Sequence, residues 1–185
     1  MKSQKGEQVA VGSAALPLTE GLSQLFGEHH KRVLRAAYRI TGNMADAEDV
    51  AQIVFLRLAS ANGPVTNAGG YLHRAAINGA LDLLRRRKAA STEPLEGAAG
   101  IASTGPRSSP EREMSSTELG NLLRIAVAEL APRAAEMFTL RYLEDLGNRE
   151  IAALMGTSQA VVAVTLHHAR SKLKKRLMEF ERGKR

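Results

Sequence analysis

The sequence predicts an all-α fold made of two small helical domains joined by a flexible linker. Apolar residues recur at helical spacing in both halves of the 185-residue chain, and no segment alternates as a strand does. Aromatic residues make up 4% of the chain and tryptophan is absent, so we expect a core of aliphatic side chains. Between the halves lies a stretch with too few large apolar residues to bury a core of its own.

This prediction divides the chain into four segments. Residues 1–18 are predicted to form a disordered tail. They do not fit a signal peptide, because glycine and proline interrupt their apolar run. Residues 19–88 and 111–185 form the two domains. Residues 89–110 form the linker, since they contain three prolines and three glycines. Its extended length would let the two domains sit about two DNA turns apart, at roughly 34 Å per turn.

The first domain is predicted to contain three helices, over about 19–41, 46–61 and 67–88. Gly42 can end the first helix, and Asp46 is a good N-cap for the second. The expected core positions are Leu22, Leu25, Phe26, Val33, Ala37 and Ile40, then Val50, Val54 and Leu58, then Leu72, Ala76, Leu81 and Leu84.

The second domain is predicted to contain four helices, over about 111–130, 132–143, 148–155 and 158–180. Pro132 suits the first turn of the second of these. The expected core positions are Leu119, Leu122, Ala126 and Leu130, then Met137, Phe138 and Leu140, then Ile151, Ala152 and Leu154, then Val162, Leu166, Ala169, Leu173 and Leu177.

The charge of the chain indicates a polyanionic partner. The formal net charge is +7, and lysine and arginine outnumber the acidic residues on both sides of the linker. The chain has no cysteine, which excludes disulfides and thiolate metal sites and fits a reducing cytoplasm.

No pattern in the sequence supports catalysis. The histidines occur as His29-His30, His73 and His167-His168, without an acidic residue at metal-ligand spacing, and we expect each at the surface or at a helix cap. No glycine-rich phosphate loop or nucleophile elbow is found. We therefore expect a protein that is not an enzyme and that uses no cofactor or metal.

Residues 147–170 have the pattern of a helix-turn-helix. A short helix with the small residue Ala152 is followed by Gly156, where the chain turns, and by Ser158, which can cap a second helix. Lysines and arginines later in this second helix favour DNA binding through the major groove. An ordinary helical hairpin has the same apolar pattern and stays open as an alternative.

A second basic motif ends the third predicted helix. Arg85, Arg86, Arg87 and Lys88 are consecutive, so they fan around the helix and cannot all face one groove. The helix dipole alone favours cations in a last turn. The same run beside a flexible linker would also serve as a phosphate clamp, and the run by itself does not separate these interpretations.

Three stretches resemble one protein family. "FGEHHKRVLRAAYRITGNMADAEDVAQIVFLRL" (26–58) is similar to the start of sigma region 2 in extracytoplasmic-function sigma factors of the sigma-70 family. "GYLHRAAINGALDLLRRRKA" (70–89) resembles the part of that region that melts the promoter and reads the −10 element. "LAPRAAEMFTLRYLEDLGNREIAALMGTSQAVVAVTLHHARSKLKKRL" (130–177) resembles sigma region 4. Their order and the low-complexity spacer also match, which implies an initiation factor.

The resemblance implies a polymerase-binding surface on the second helix. An acidic helix N-terminus is also what the helix dipole favours by itself. Ile53 departs from the family, because an acidic residue is common there. The residues that match the stretch docking on the clamp helices of the largest polymerase subunit are Asp46, Ala47, Glu48, Asp49 and Gln52.

The resemblance also implies a −10 DNA surface on the third helix. Asn78 matches the asparagine near a flipped-out base, and its amide can both donate to and accept from a base edge. Tyr71 keeps an aromatic ring where many members have tryptophan. Arg74 and the run 85–88 would contact the phosphates of the captured strand.

The recognition helix departs from the family. Where many members have Lys-Ser-Arg, this chain has Ala163-Val164-Thr165, which cannot make bidentate base contacts. Region 4 is therefore expected to act through phosphates and thymine methyl groups, unless the apolar face binds another protein. The residues expected at the −35 element are Arg149, Ser158, Val161, Val164, Thr165, His167, His168, Arg170 and Lys172.

The resemblance implies an RNA polymerase sigma factor that recognises −10 and −35 elements, melts the promoter and starts transcription in the cytoplasm. The implied partners are core RNA polymerase, promoter DNA and, as a family expectation only, an anti-sigma factor; membrane insertion is not expected. A helix-turn-helix regulator that acts without polymerase is one alternative. A sigma mimic that titrates an anti-sigma factor is another, which the apolar recognition helix keeps open.

Overall fold

The computed structural model describes residues 18–60, 67–92 and 110–183, which form seven α-helices and no strand. The all-α prediction is confirmed. None of the described helices is long and apolar enough to cross a membrane. The helices are α1 (Leu18–Thr41), α2 (Met44–Ala59), α3 (Ala68–Thr92), α4 (Pro110–Ala128), α5 (Pro132–Tyr142), α6 (Asn148–Met155) and α7 (Gln159–Gly183).

The junction between α1 and α2 differs by a few residues from the prediction. Gly42 ends α1 as expected, with φ +68° in the left-handed region that glycine adopts at low cost. The N-cap of α2 is Asn43 and not Asp46, because the Asn43 side chain accepts a hydrogen bond from the Asp46 N–H at 3.2 Å. Asp46 therefore lies in the first turn of α2, with its side chain directed into the fold.

Two predicted segments lie largely outside the described residues. The predicted N-terminal tail is described only at residue 18, where α1 begins. Of the predicted linker, residues 89–92 belong to α3, which runs one turn further than the expected end at Lys88. Residues 93–109 lie outside the described part of the chain, so the linker between them remains a prediction.

The first three helices pack together around the predicted apolar stripes. Val33, Ala37 and Ile40 of α1 are buried, as are the three stripe positions of α2. Leu72, Ala76 and Leu81 of α3 are buried, and Leu84 is partly buried against them. Phe26 is a correction, because it is largely exposed at the surface between α1 and α2.

The last four helices form a second unit. Pro132 occupies the first turn of α5, as predicted. The α7 stripe is confirmed, with four positions buried and Leu177 partly buried. Leu119 is a correction, because it is exposed although its spacing predicted the apolar face of α4.

The two units lie against each other in this structure. Helix α3 contacts both α4 and α5, and the buried residues of all seven helices form one continuous core. The sequence had predicted domains free to sit about two DNA turns apart. This contact brings charged residues of the second unit onto the cationic side of α3.

Candidate polymerase and DNA interface

The acidic end of α2 offers a smaller surface than its sequence suggested. Glu48, Asp49 and Gln52 are exposed, so they can meet a partner directly. Ala47 is fully buried and Asp46 is 6% exposed. In this structure these two residues pack α2 against its neighbours. Their burial does not fit the direct contact with polymerase that the resemblance implied.

Asp46 has a specific partner on α3. Both of its carboxylate oxygens accept hydrogen bonds from the guanidinium of Arg87. The carboxylate is nearly enclosed, whereas the Arg87 side chain is 56% exposed. The pair therefore joins the start of the predicted polymerase-binding helix to the predicted DNA-binding run.

The predicted −10 residues lie along one helix but in different surroundings. Tyr71 is exposed near the start of α3, and Asn78 is partly buried near its middle. Arg86 is exposed and forms no ion pair with any described residue. Tyr71 and Arg86 are thus exposed to solvent, and Asn78 is exposed in part.

Arg74 is engaged by the second unit. Its Nε donates to Glu136 Oε1 at 2.5 Å and its Nη2 donates to Oε2 at 3.4 Å. Its remaining terminal nitrogen donates to the carbonyl of Leu154 at 3.3 Å. Every nitrogen of this guanidinium thus points at the second unit in this conformation.

The basic run at the end of α3 is also partly engaged. Arg85 donates to the carbonyl oxygen of Ala128 at 2.9 Å, and Lys88 forms an ion pair with Glu129. Glu129 also pairs with Arg176 of α7 at 3.3 Å. Burial opposes ionisation of Glu129, but the hydrogen bonds and charges of Lys88 and Arg176 outweigh it, so its pKa lies below the usual value.

His73 is buried, at 1% exposure, which corrects the expectation of a surface or cap residue. Its Nδ1 lies 3.2 Å from a guanidinium nitrogen of Arg32. Because a guanidinium only donates, Nδ1 must accept, and Nε2 carries the proton toward Glu144 at 2.9 Å. Arg39 donates to Glu144 from the other side at 3.1 Å.

The carboxylate of Glu144 is therefore held between α1 and α3. Burial would raise its pKa, but the hydrogen bonds from His73 and Arg39 and the charge of Arg39 outweigh burial and hold the pKa below its usual value. Arg39 also donates to the carbonyl oxygen of Leu143 at 2.6 Å. This junction after α5 is thus fixed to the first unit by polar contacts.

The helix-turn-helix has the predicted local geometry. Glu150 accepts a hydrogen bond from the Gly147 N–H at 2.7 Å, which closes the start of α6. Gly156 ends α6 with φ +60°, a left-handed conformation that a residue with a Cβ adopts only under strain. The Ser158 hydroxyl accepts from the Val161 N–H at 3.2 Å and caps α7 as predicted.

The outer face of α7 is apolar where it begins and basic further on. Val161 is 47% exposed and Val164 is 56% exposed, while Val162 is buried. Thr165 is partly exposed. The other predicted −35 residues are exposed, namely Arg149, Ser158, His167, His168, Arg170 and Lys172.

Sequence reasoning missed three acidic residues of the second unit. Glu129, Glu136 and Glu144 each meet a cation or histidine of the first unit. Their partners in the first unit lie from 41 to 105 residues away along the chain, so no local pattern shows the pairing. One weak signal existed: Glu136 precedes Leu140 by one helical turn and so lies on an apolar face.

A helical protein with a cationic helix beside a helix-turn-helix belongs to the class of DNA-binding proteins, and comparison with known proteins identifies the family. Residues 25–90 match the family model for Sigma-70 region 2, and residues 121–173 match that for Sigma-70, region 4. The RNA polymerase sigma-E factor of Streptomyces avermitilis is 30% identical over 150 residues, which cover 78% of each chain. The chain therefore belongs to the sigma-70 family, in its extracytoplasmic-function group.

Two further proteins are similar at lower coverage or lower identity. The ECF RNA polymerase sigma factor SigE of Mycolicibacterium smegmatis is 33% identical over 164 residues, which cover 87% of this chain and 62% of that relative. The solved structure of CnrH in complex with the cytosolic domain of CnrY is 21% identical, with a TM-score of 0.49, and covers 87% of this chain and 90% of that one.

Proposed function

We propose that this sigma factor directs RNA polymerase to promoters and starts transcription through three separate surfaces. Exposed acids of α2 dock on core polymerase, α3 captures the −10 strand, and α6–α7 contact the −35 duplex. As a partner of RNA polymerase, the protein would act in the cytoplasm. We propose no catalytic activity of its own. Both family regions occur in order in one chain, which favours this function over a regulator that works without polymerase.

The observation that carries the proposal is the division of charge between α2 and α3. Glu48 and Asp49 are exposed on α2, while Arg86 is exposed on α3, the neighbouring helix. An acidic face suits a basic protein partner, and a cationic face suits a phosphate backbone. One packed unit thus presents both charges at once.

On α3 we assign strand capture to Tyr71 and Asn78, with phosphate contacts from Arg86. An aromatic ring can stack on an unstacked base, and an amide can bond to a base edge. On α7 the exposed valines supply thymine-methyl contacts and Arg170 supplies a phosphate contact. Base discrimination would then depend mainly on α3. An anti-sigma factor as a further partner stays a proposal from the family.

Reconstitution with purified core RNA polymerase tests this function. Wild-type protein should give discrete run-off transcripts on a subset of genomic fragments from the source organism. Asp49→Lys should abolish both co-purification with core and transcription, because it reverses an exposed charge on the docking face. Glu181→Lys makes the same charge change at an exposed position near the end of α7 and should retain both.

The result can contradict the proposal at two levels. If no fragment yields a transcript that depends on wild-type protein, initiation is not its function. If transcripts form and Asp49→Lys behaves like the Glu181→Lys control, the assignment of α2 as the docking surface is wrong.

A further inference from the structure

A small cavity lies where α1 and α3 meet α4 and α5. Its volume is about 130 Å³, and most of the residues that line it are apolar. An apolar cavity of this size can hold a molecule about as large as benzene. The apolar side chains around it are Ile40, Leu81, Leu123, Val127 and Phe138.

Thr139 adds a polar group to this lining. The residue is fully buried, and its hydroxyl forms no hydrogen bond with any described residue. A buried hydroxyl without a partner costs free energy, and such groups are rare in folded proteins. The hydroxyl therefore indicates a position where an oxygen atom of a bound molecule would be stabilised.

Arg124 places a positive charge on the same cavity. Its guanidinium donates to Asn121 Oδ1 at 3.0 Å and has no carboxylate partner among the described residues. A Cβ added to Gly42 would lie 2.8 Å from Arg124 Cζ, so the guanidinium fits against the end of α1 because residue 42 is a glycine. The other arginine of the lining, Arg39, is paired with Glu144. Arg124 is thus the cation that a bound anion would neutralise.

We propose that this cavity binds a small monocarboxylate whose apolar body is about the size of benzene. The apolar side chains enclose the body, and Arg124 pairs with the carboxylate. The two oxygens of a carboxylate offer several lone-pair sites, so the group can accept from the Thr139 hydroxyl as well as from a guanidinium. Phe138 favours an aromatic body, because aromatic rings gain from offset or edge-to-face contact.

The cavity is built by both units, so its occupant contacts both at once. Ile40 comes from α1 and Leu81 from α3, whereas Arg124 comes from α4 and Thr139 from α5. A molecule that binds only this arrangement stabilises it to an extent that depends on its concentration. None of the residues that line the cavity belongs to the predicted polymerase or DNA surfaces. The site therefore adds a small-molecule ligand to the macromolecular partners proposed above.

Titration of benzoate onto the free full-length protein tests the site. Calorimetry at neutral pH should show one saturable site with Kd on the order of 1 mM, which is ordinary for a ligand this small. Benzylamine has the same ring and the opposite charge, so it should bind at least about tenfold more weakly.

Two variants address the polar groups separately. Thr139→Val keeps the shape of the side chain and removes the hydroxyl, so benzoate should bind about fivefold to tenfold more weakly. Arg124→Gln removes the charge and should weaken benzoate binding at least about tenfold. Arg133→Gln makes the same charge change at an exposed position of α5 and should leave Kd within about twofold.

Thr139→Val also has a readout that needs no ligand. The substitution removes a buried hydroxyl that lacks a partner, so the Tm of the ligand-free protein should rise by about 2–4 °C. A lower Tm would mean that the hydroxyl is already satisfied in the folded protein, and it would overturn the proposed site.

Three calorimetric results would also overturn the proposal. The first is the lack of saturable benzoate binding up to about 20 mM, where a site of this affinity would be nearly filled. The second is equal affinity for benzoate and benzylamine, because the cavity would then not select a negative charge. The third is a failure of the variants to discriminate: benzoate binding unchanged in Thr139→Val and Arg124→Gln, or weakened equally in Arg124→Gln and Arg133→Gln.

Discussion

The Asp46–Arg87 ion pair predicts different costs for two neighbouring arginines. Arg87→Ala would leave the Asp46 carboxylate, with a side chain only 8% exposed, without the partner of both its oxygens. A stranded buried polar or charged group costs about 1–3 kcal/mol. Because Arg87 itself is more than half exposed, we expect the lower part of this range. Arg86→Ala removes an exposed cation that is not paired with any described residue and should cost less than about 0.5 kcal/mol.

Denaturant and thermal unfolding of the full chain, followed by far-ultraviolet circular dichroism, would measure these costs. For a chain of this size a loss of 1 kcal/mol lowers Tm by about 2–4 °C. Arg87→Ala should therefore show a clear decrease in Tm and Arg86→Ala little or none. Both variants should weaken single-strand binding, because each removes a cation of the predicted DNA surface.

A double variant separates the stranded charge from the lost contact. Asp46→Asn removes the charge while it keeps the volume, so Asp46→Asn with Arg87→Ala should recover much of the stability lost in Arg87→Ala alone. Equal stability of Arg87→Ala and Arg86→Ala would refute the reasoning, since it would mean that water reaches Asp46 at little cost. A double variant less stable than Arg87→Ala would refute it too.

Two further predictions concern the recognition helix and the glutamates that join the two units. In reconstituted holoenzyme, Val164→Arg should tighten promoter binding and steepen its log–log salt dependence by about one unit. Val164→Glu should weaken binding. Loss of binding with both variants would indicate that this face contacts protein. Glu129 and Glu144 have pKa values below their usual 4.5, so their contribution is complete above pH 4.5 and is lost as pH falls through the lowered values. Energy transfer between dyes at Ala59→Cys and Arg133→Cys should stay constant from neutral pH to about 5 and fall below about 4.5; a transition centred above pH 5.5 would exclude the two glutamates as its cause.

The local signals in the sequence were sufficient for most helix boundaries. Gly42, Pro132 and Gly156 mark ends and starts because each restricts or widens the backbone choices at its own position. The start of α2 was wrong because Asn43 and Asp46 are both good caps, and no local rule ranks them. The choice was made by packing, which directs Asp46 inward to Arg87.

The long-range charge pairs could not be predicted in the same way. A helix periodicity shows which face is apolar but not which helix covers it. His73 therefore appeared as an isolated surface histidine, although Arg32 and Glu144 lie on either side of its ring. The candidate DNA residues were found by their resemblance to a family, but their intramolecular partners depend on how the two units meet.

The structure treats the two candidate DNA surfaces unequally. On α3, Arg74 and Lys88 are paired with Glu136 and Glu129, while Val164 and Arg170 on α7 stay exposed. Since the exposed start of α7 discriminates bases poorly, contacts made there would be weak and tolerant of sequence. Selective binding of a promoter should therefore depend on the exposed Tyr71 and the partly exposed Asn78 of α3, which can meet the bases of a single strand.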